Sequence, residues 1–187
     1  MIDKKTQFFR IVVLLVISAL FSCEHSREAK KTPYDAATYF NMGTVQLEKG
    51  ENEQAIGFFN KALELNPKYV DAYYNRGIAY RRQGLNELAI GDYTKTLELN
   101  PKESRAYANR GNVYLDKGRY DDAISDYTRA LEMNPKDAIS YYNRSYAYYL
   151  KKNFDKSWED VNKARALGYR IPPDFLADLQ KASGRQQ

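Results

Sequence analysis

The chain has 187 residues, 28% of them charged, and a formal net charge of +5. One cysteine and one histidine stand against 17 tyrosines and a single tryptophan, which excludes a disulfide within the chain and leaves no cluster for a metal or a nucleophilic triad. Setting aside Lys4, Lys5, Arg10 and Asp3 leaves 26 basic and 23 acidic residues, net +3, too mild to point to nucleic acid. No cofactor, metal or enzymatic activity is expected.

Residues 1–22 come first. Lys4, Lys5 and Arg10 precede an apolar stretch from Ile11 to Phe21, the pattern of a secretory signal and too short for a comfortable membrane span. Its end, Leu20-Phe21-Ser22-Cys23, resembles the lipobox of bacterial lipoproteins, although Phe21 is larger than that family's usual residue. The resemblance implies acylation of Cys23, a membrane anchor through that lipid, and a place at the bacterial cell envelope facing periplasm or exterior. A non-lipidated signal peptide cut elsewhere and an uncleaved signal anchor remain alternatives. Residues 23–35 read as a polar tether, ending in Thr32-Pro33-Tyr34-Asp35, which predicts an N-cap at Thr32 and a first helical turn at Pro33.

From Ala36 onward a 34-residue period takes over. Gly43, Gly77 and Gly111 share one position, Ala55, Ala89 and Ala123 another, and Pro67, Pro101 and Pro135 a third. The units span 36–69, 70–103, 104–137 and 138–171. In each, an aromatic at position 4 (Tyr39, Tyr73, Tyr107, Tyr141) alternates with small residues at positions 8 and 20, so that a hole on one helix faces a ring on the other. Gly50, Gly84 and Gly118 fall where left-handed C-caps are expected, and Asn-Pro at 66–67, 100–101 and 134–135 closes the second run. The pattern predicts first helices over 36–49, 70–83, 104–117 and 138–151, and second helices over 52–65, 87–99, 121–133 and 155–167. Pro172-Pro173-Asp174 opens a last run, Phe175, Leu176 and Leu179, that predicts a capping helix within 172–187.

These units resemble tetratricopeptide repeats, whose aromatic, glycine, tyrosine, alanine, aromatic, alanine and proline pattern falls at positions 4, 8, 11, 20, 24, 27 and 32. Repeat two (Tyr73, Gly77, Tyr80, Ala89, Tyr93, Thr96, Pro101) and repeat three (Tyr107, Gly111, Tyr114, Ala123, Tyr127, Ala130, Pro135) carry it best. Repeat one has Gln46 in place of the tyrosine, and repeat four departs at Ser145, Ser157, Val161 and Tyr169. The resemblance implies an all-α, right-handed α-solenoid of four helix-turn-helix repeats with a C-terminal cap. It also implies a concave groove for a protein or peptide partner, lined by first helices.

Two positional patterns inside the repeats bear on function. Position 7 is Arg76, Arg110 and Arg144, and position 23 is Asp92, Asp126 and Asp160, while repeat one has Met42 and Phe58. Because both positions switch from ionic to apolar together, the expected pairing is Arg with Asp within one repeat; the other reading is an exposed basic ladder for an acidic ligand. Position 6 is asparagine throughout: Asn41, Asn75, Asn109 and Asn143. Such a row can hold the backbone of an extended ligand, or can serve local helix contacts instead. Phe40, Tyr74, Tyr142, Ile78, Asn112 and Tyr146 stand around the row, with Arg81 and Arg105 adding charge. The family's chaperone-tail clamp is not expected, since Phe40 and Thr44 occupy its lysine and asparagine positions. The function expected is a membrane-anchored adaptor or assembly factor; a self-associating scaffold, and a sugar-binding accessory subunit at the cell wall, are the alternatives.

Overall fold

The computed structural model describes residues 34–185, so the leader, Cys23 and most of the tether lie outside the described residues. The described part from Ala36 is an all-helical array of four helix pairs and a cap: α1 (Ala36–Glu48) with α2 (Asn52–Leu65), α3 (Val70–Arg82) with α4 (Asn86–Leu99), α5 (Ser104–Asp116) with α6 (Tyr120–Met133), α7 (Ala138–Leu150) with α8 (Phe154–Ala166), then α9 (Pro173–Ser183). Each second helix packs on its own first helix and on the next one, and successive first helices also touch.

The first helix begins at Ala36, where the repeat register places it. Tyr34 and Asp35 stand before it outside the helix, and the Thr32-Pro33 cue lies outside the described residues. Before α7 the Asp137 carboxylate accepts hydrogen bonds from the backbone N–H groups of Ile139 and Ser140, an N-cap that fixes the start of that helix.

Why the pairs approach so closely is written in two positions. Gly43, Gly77 and Gly111 lie under the rings of Phe59, Tyr93 and Tyr127, and a Cβ built on them would meet ring carbons at 2.6, 2.8 and 3.0 Å. All three rings are fully buried, as are Ala55, Ala89 and Ala123. Repeat four solves the same packing differently, with Ser145 opposite Val161: the smaller side chain at position 24 leaves room for a Cβ at position 8. Its two serines are buried and bonded, Ser145 Oγ donating to the Tyr142 carbonyl at 2.6 Å and Ser157 Oγ to the Ser145 carbonyl at 2.8 Å.

The turns follow from local chemistry. In each Asn-Pro corner the asparagine side chain accepts from the N–H two residues on, Lys68, Lys102 and Lys136, at 3.1 to 3.3 Å, which shapes the link to the next helix. Between the helices of a pair, Gly50, Gly84 and Gly118 take positive φ, and repeat four places Lys152 at φ 60° in the same spot. At the far end α9 buries Phe175 and Leu179, and Trp158 Nε1 donates to Ser183 Oγ at 3.0 Å.

Two outcomes follow for stability. Gly111→Ser overpacks the third pair and costs about 1–3 kcal/mol, but combined with Tyr127→Val it costs less than the two single changes added together, a coupling read from urea midpoints. Lys152→Gly relieves left-handed strain and raises the urea midpoint, by up to about 1 kcal/mol once the entropy of glycine is set against it.

Candidate functional site: the first-helix face

Helices α1, α3, α5 and α7 touch in succession, so positions 5, 6, 9, 12 and 13 form one continuous face. The asparagines along it do not behave alike. Asn109 donates its Nδ2 to the Tyr74 hydroxyl at 2.8 Å, and Asn143 donates to Asn112 Oδ1 at 2.9 Å. Asn112 Oδ1 also accepts from the Tyr127 hydroxyl at 2.7 Å. In repeats three and four the row therefore ties neighbouring repeats together, while the side chains of exposed Asn41 and half-buried Asn75 make no hydrogen bond among the described residues.

The rings around the row also divide. Tyr74 is a core residue, only 9% exposed and packed in one cluster with Tyr93, so it does not offer its face to a ligand as the sequence led us to expect. Tyr74 settles against α5, in one cluster with Ala106 and Val113 and with its hydroxyl taking the Asn109 bond. Phe40 is half-buried against Tyr69 and Phe59, with ring centroids at 4.9 and 5.9 Å. Phe175 of α9 presses edge-on against Tyr142 and Tyr146, so the cap covers part of these two rings, and Tyr142 also stacks on Tyr169. Arg105 is exposed, bonded to Glu103 at 2.8 Å, and its guanidinium lies 4.9 Å from the Tyr74 ring centroid.

Ile78 and Arg81 are brought together in a cleft of roughly 430 Å³ between repeats two and three, with Arg82, Tyr93, Asn109 and Asp116. Arg81 reaches Asp116 across the junction at 3.3 Å, a long contact between two partly exposed groups, and Arg82 donates to the Leu47 carbonyl at 2.7 Å.

The arginines of position 7 lie on the other side of these helices. Arg76, Arg110 and Arg144 each hold Asp92, Asp126 and Asp160 respectively through Nε and Nη2, at 2.7 to 2.8 Å. The carboxylates are nearly closed to solvent, and burial pushes those of Asp92 and Asp160 above their usual range against the pull of the guanidinium. Each guanidinium lies between two tyrosine rings, Tyr73 and Tyr80 for Arg76, at 5.5 and 5.7 Å. The sequence reading missed a third bond. Nη1 reaches back to the previous repeat, to Asn60 at 2.6 Å, Thr94 at 2.9 Å and Thr128 at 2.9 Å. The signal was present, for these polar residues precede the arginines by 16 positions, just as the aspartates follow by 16.

Models of the tetratricopeptide repeat match residues 70–103 and 104–137, and further repeat models match 43–84 and 126–159. The chain is a tetratricopeptide-repeat protein. Proteins of this kind are interaction scaffolds without an enzymatic centre, and their repeat domains bind protein partners. This repeat protein is similar to a solved double mutant of MamA from strain RS-1, with 26% identity, a TM-score of 0.68, and coverage of 71% of this chain and 75% of that one. A structure of MamA from Desulfovibrio magneticus RS-1, from residue 41 to the end, shares the fold at 24% identity and TM-score 0.73, covering 80% and 85%. PilF of Pseudomonas aeruginosa does so at 24% identity and TM-score 0.69, covering 80% and 69%. No curated protein sequence matches the chain.

Cutting one arm of the arginine network separates charge from packing. Arg110→Met leaves the Asp126 carboxylate buried and unpaired and costs about 3–5 kcal/mol. Adding Asp126→Phe, which recreates the Met42 and Phe58 pair of repeat one, recovers most of that loss in the urea midpoint.

Proposed function

We propose that this tetratricopeptide-repeat protein is an adaptor moored to a bacterial envelope membrane by lipid on Cys23, holding an extended segment of a protein partner along the first-helix face. The Leu20-Phe21-Ser22-Cys23 sequence supports the mooring, and the chain's only cysteine stands where the lipid would be attached. One observation carries the binding reading: the position-6 asparagines bond to a neighbouring repeat in repeats three and four, while those of repeats one and two have no side-chain hydrogen bond among the described residues. Asn41 and Asn75 keep both donor and acceptor for a peptide backbone, and they lead directly to the cleft at Ile78 and Arg81. Groups that a fold does not use for itself, aligned at helical spacing beside a cleft, are the means by which a groove grips main chain without reading every side chain.

The two halves of this proposal separate experimentally. Cys23→Ser should release the protein from membrane fractions, and sedimentation unchanged from wild type would refute the lipid anchor. A photocrosslinker at Ile78 should capture a partner whose yield falls with Asn41→Ala and Asn75→Ala together, whereas one at Glu98 on α4 should not. Capture only from α4 would place binding on the opposite side and reject the groove.

A further inference from the structure

The tyrosines at position 24 provide an internal comparison. Tyr93 and Tyr127 are both fully buried and cover equivalent glycines, yet only Tyr127 has a partner for its hydroxyl, the Asn112 side chain at position 9. In repeat two position 9 is Ile78, which can accept nothing, and Tyr93 Oη is buried with no hydrogen bond. Burial pushes its pKa upward, so it remains a neutral O–H donor. A hidden donor without an acceptor is costly, and a fold that satisfies the same group one repeat later has the means to avoid it.

The cleft beside Tyr93 also carries more positive charge than negative. Arg81 and Arg82 line the same cleft; Arg81 faces the one carboxylate there, Asp116, at the long distance of 3.3 Å, and Arg82 spends one N–H on the Leu47 carbonyl, leaving the rest of its guanidinium without a carboxylate. The other first helices have nothing equivalent: positions 12 and 13 are Leu47 and Glu48 in repeat one, Leu115 and Asp116 in repeat three, and Tyr149 and Leu150 in repeat four. An arginine pair beside an unpartnered hydroxyl thus occurs at one junction of this face. It lies in mid-array with further repeats on both sides, so a segment running along the groove presents a side chain there rather than its end.

We propose that the cleft between repeats two and three is a subsite for an acidic side chain, aspartate or glutamate, of the docked partner segment. This rests on the groove reading given above and adds to it the chemistry of one position in the ligand. The incoming carboxylate takes Arg81 away from Asp116 and pairs with it and with Arg82. Movement of the Arg81 side chain opens the path to Tyr93, whose hydroxyl donates to the second carboxylate oxygen. Ile78 supplies the apolar wall against which the stem of the acidic side chain lies.

The test uses the full-length chain in detergent and fluorescein-labelled, end-blocked peptides of alternating alanine and serine, with a central Glu, Gln or Lys. Fluorescence anisotropy should show the Glu peptide bound about tenfold more tightly than the Gln peptide, and the Lys peptide weakest. Tyr93→Phe should weaken the Glu peptide by about fivefold while leaving the urea midpoint unchanged or higher, a combination that a purely structural tyrosine does not give. Arg81→Gln should abolish the preference for Glu over Gln. Ile78→Asn, which copies the internal solution of repeat three, should raise the urea midpoint and remove the preference as well. Equal binding of Glu and Gln peptides overturns the acidic subsite and leaves the groove standing. Preference for a peptide whose only carboxylate is its free C-terminus overturns the side-chain assignment. Absence of binding by every peptide overturns the subsite too, and the crosslinking at Ile78 then decides separately whether the groove reading survives.

Discussion

The contact on which the array depends is a ring laid over a bare backbone. At Gly43, Gly77 and Gly111 the first helix has no side chain, and the aromatic ring of the second helix occupies the space down to van der Waals limits. Close packing of this kind fixes how the two helices of a pair approach, because the interior tolerates neither an added methyl group nor a void without cost. Everything on the first-helix face inherits its spacing from that contact. Ser145 opposite Val161 shows that the constraint acts on the pair of positions and not on glycine as such.

The second organising element joins one pair to the next. A guanidinium fixed by two bonds to its own repeat and by a third to the repeat before it sets the distance between units as well as within them. Its planar donors suit a bidentate carboxylate and still leave Nη1 for the repeat behind, a spread over three nitrogens that the single nitrogen of a lysine does not have. Since burying such an ion pair costs desolvation, what the network adds is a defined geometry more than net stability.

Much of this was legible in the sequence because repetition averages away local ambiguity. The helix boundaries lie within about one residue of the expected ones, the start of the first helix at Ala36 included, because each is fixed by a register that four units share. The Arg and Asp positions were readable from their joint change to Met42 and Phe58. The third arm was not, since Asn60, Thr94 and Thr128 share polarity but no charge. On the groove face, four identical asparagines read as one ladder, yet their environments differ: whether an amide is free depends on the hydroxyl or carboxamide one repeat away. The burial of Tyr74 and the covering of Tyr142 by Phe175 depend likewise on neighbours that the period does not reveal. The cleft with Tyr93 depends on a departure from repetition, and a reading tuned to periodicity passes over such exceptions.

The backward arm of the arginine also says how this chain can grow. Asn162 occupies the place in repeat four that Thr128 holds in repeat three, exposed and one position after Val161, while α9 offers no arginine to meet it. Duplication of residues 104–137 in tandem would therefore give the arginine of the copy all its partners at the new seam, threonine behind and aspartate ahead. Duplication of residues 36–69 would set Met42 behind Asn60 and strand its carboxamide. Lengthening by copying is open to the middle of the molecule and closed to its beginning.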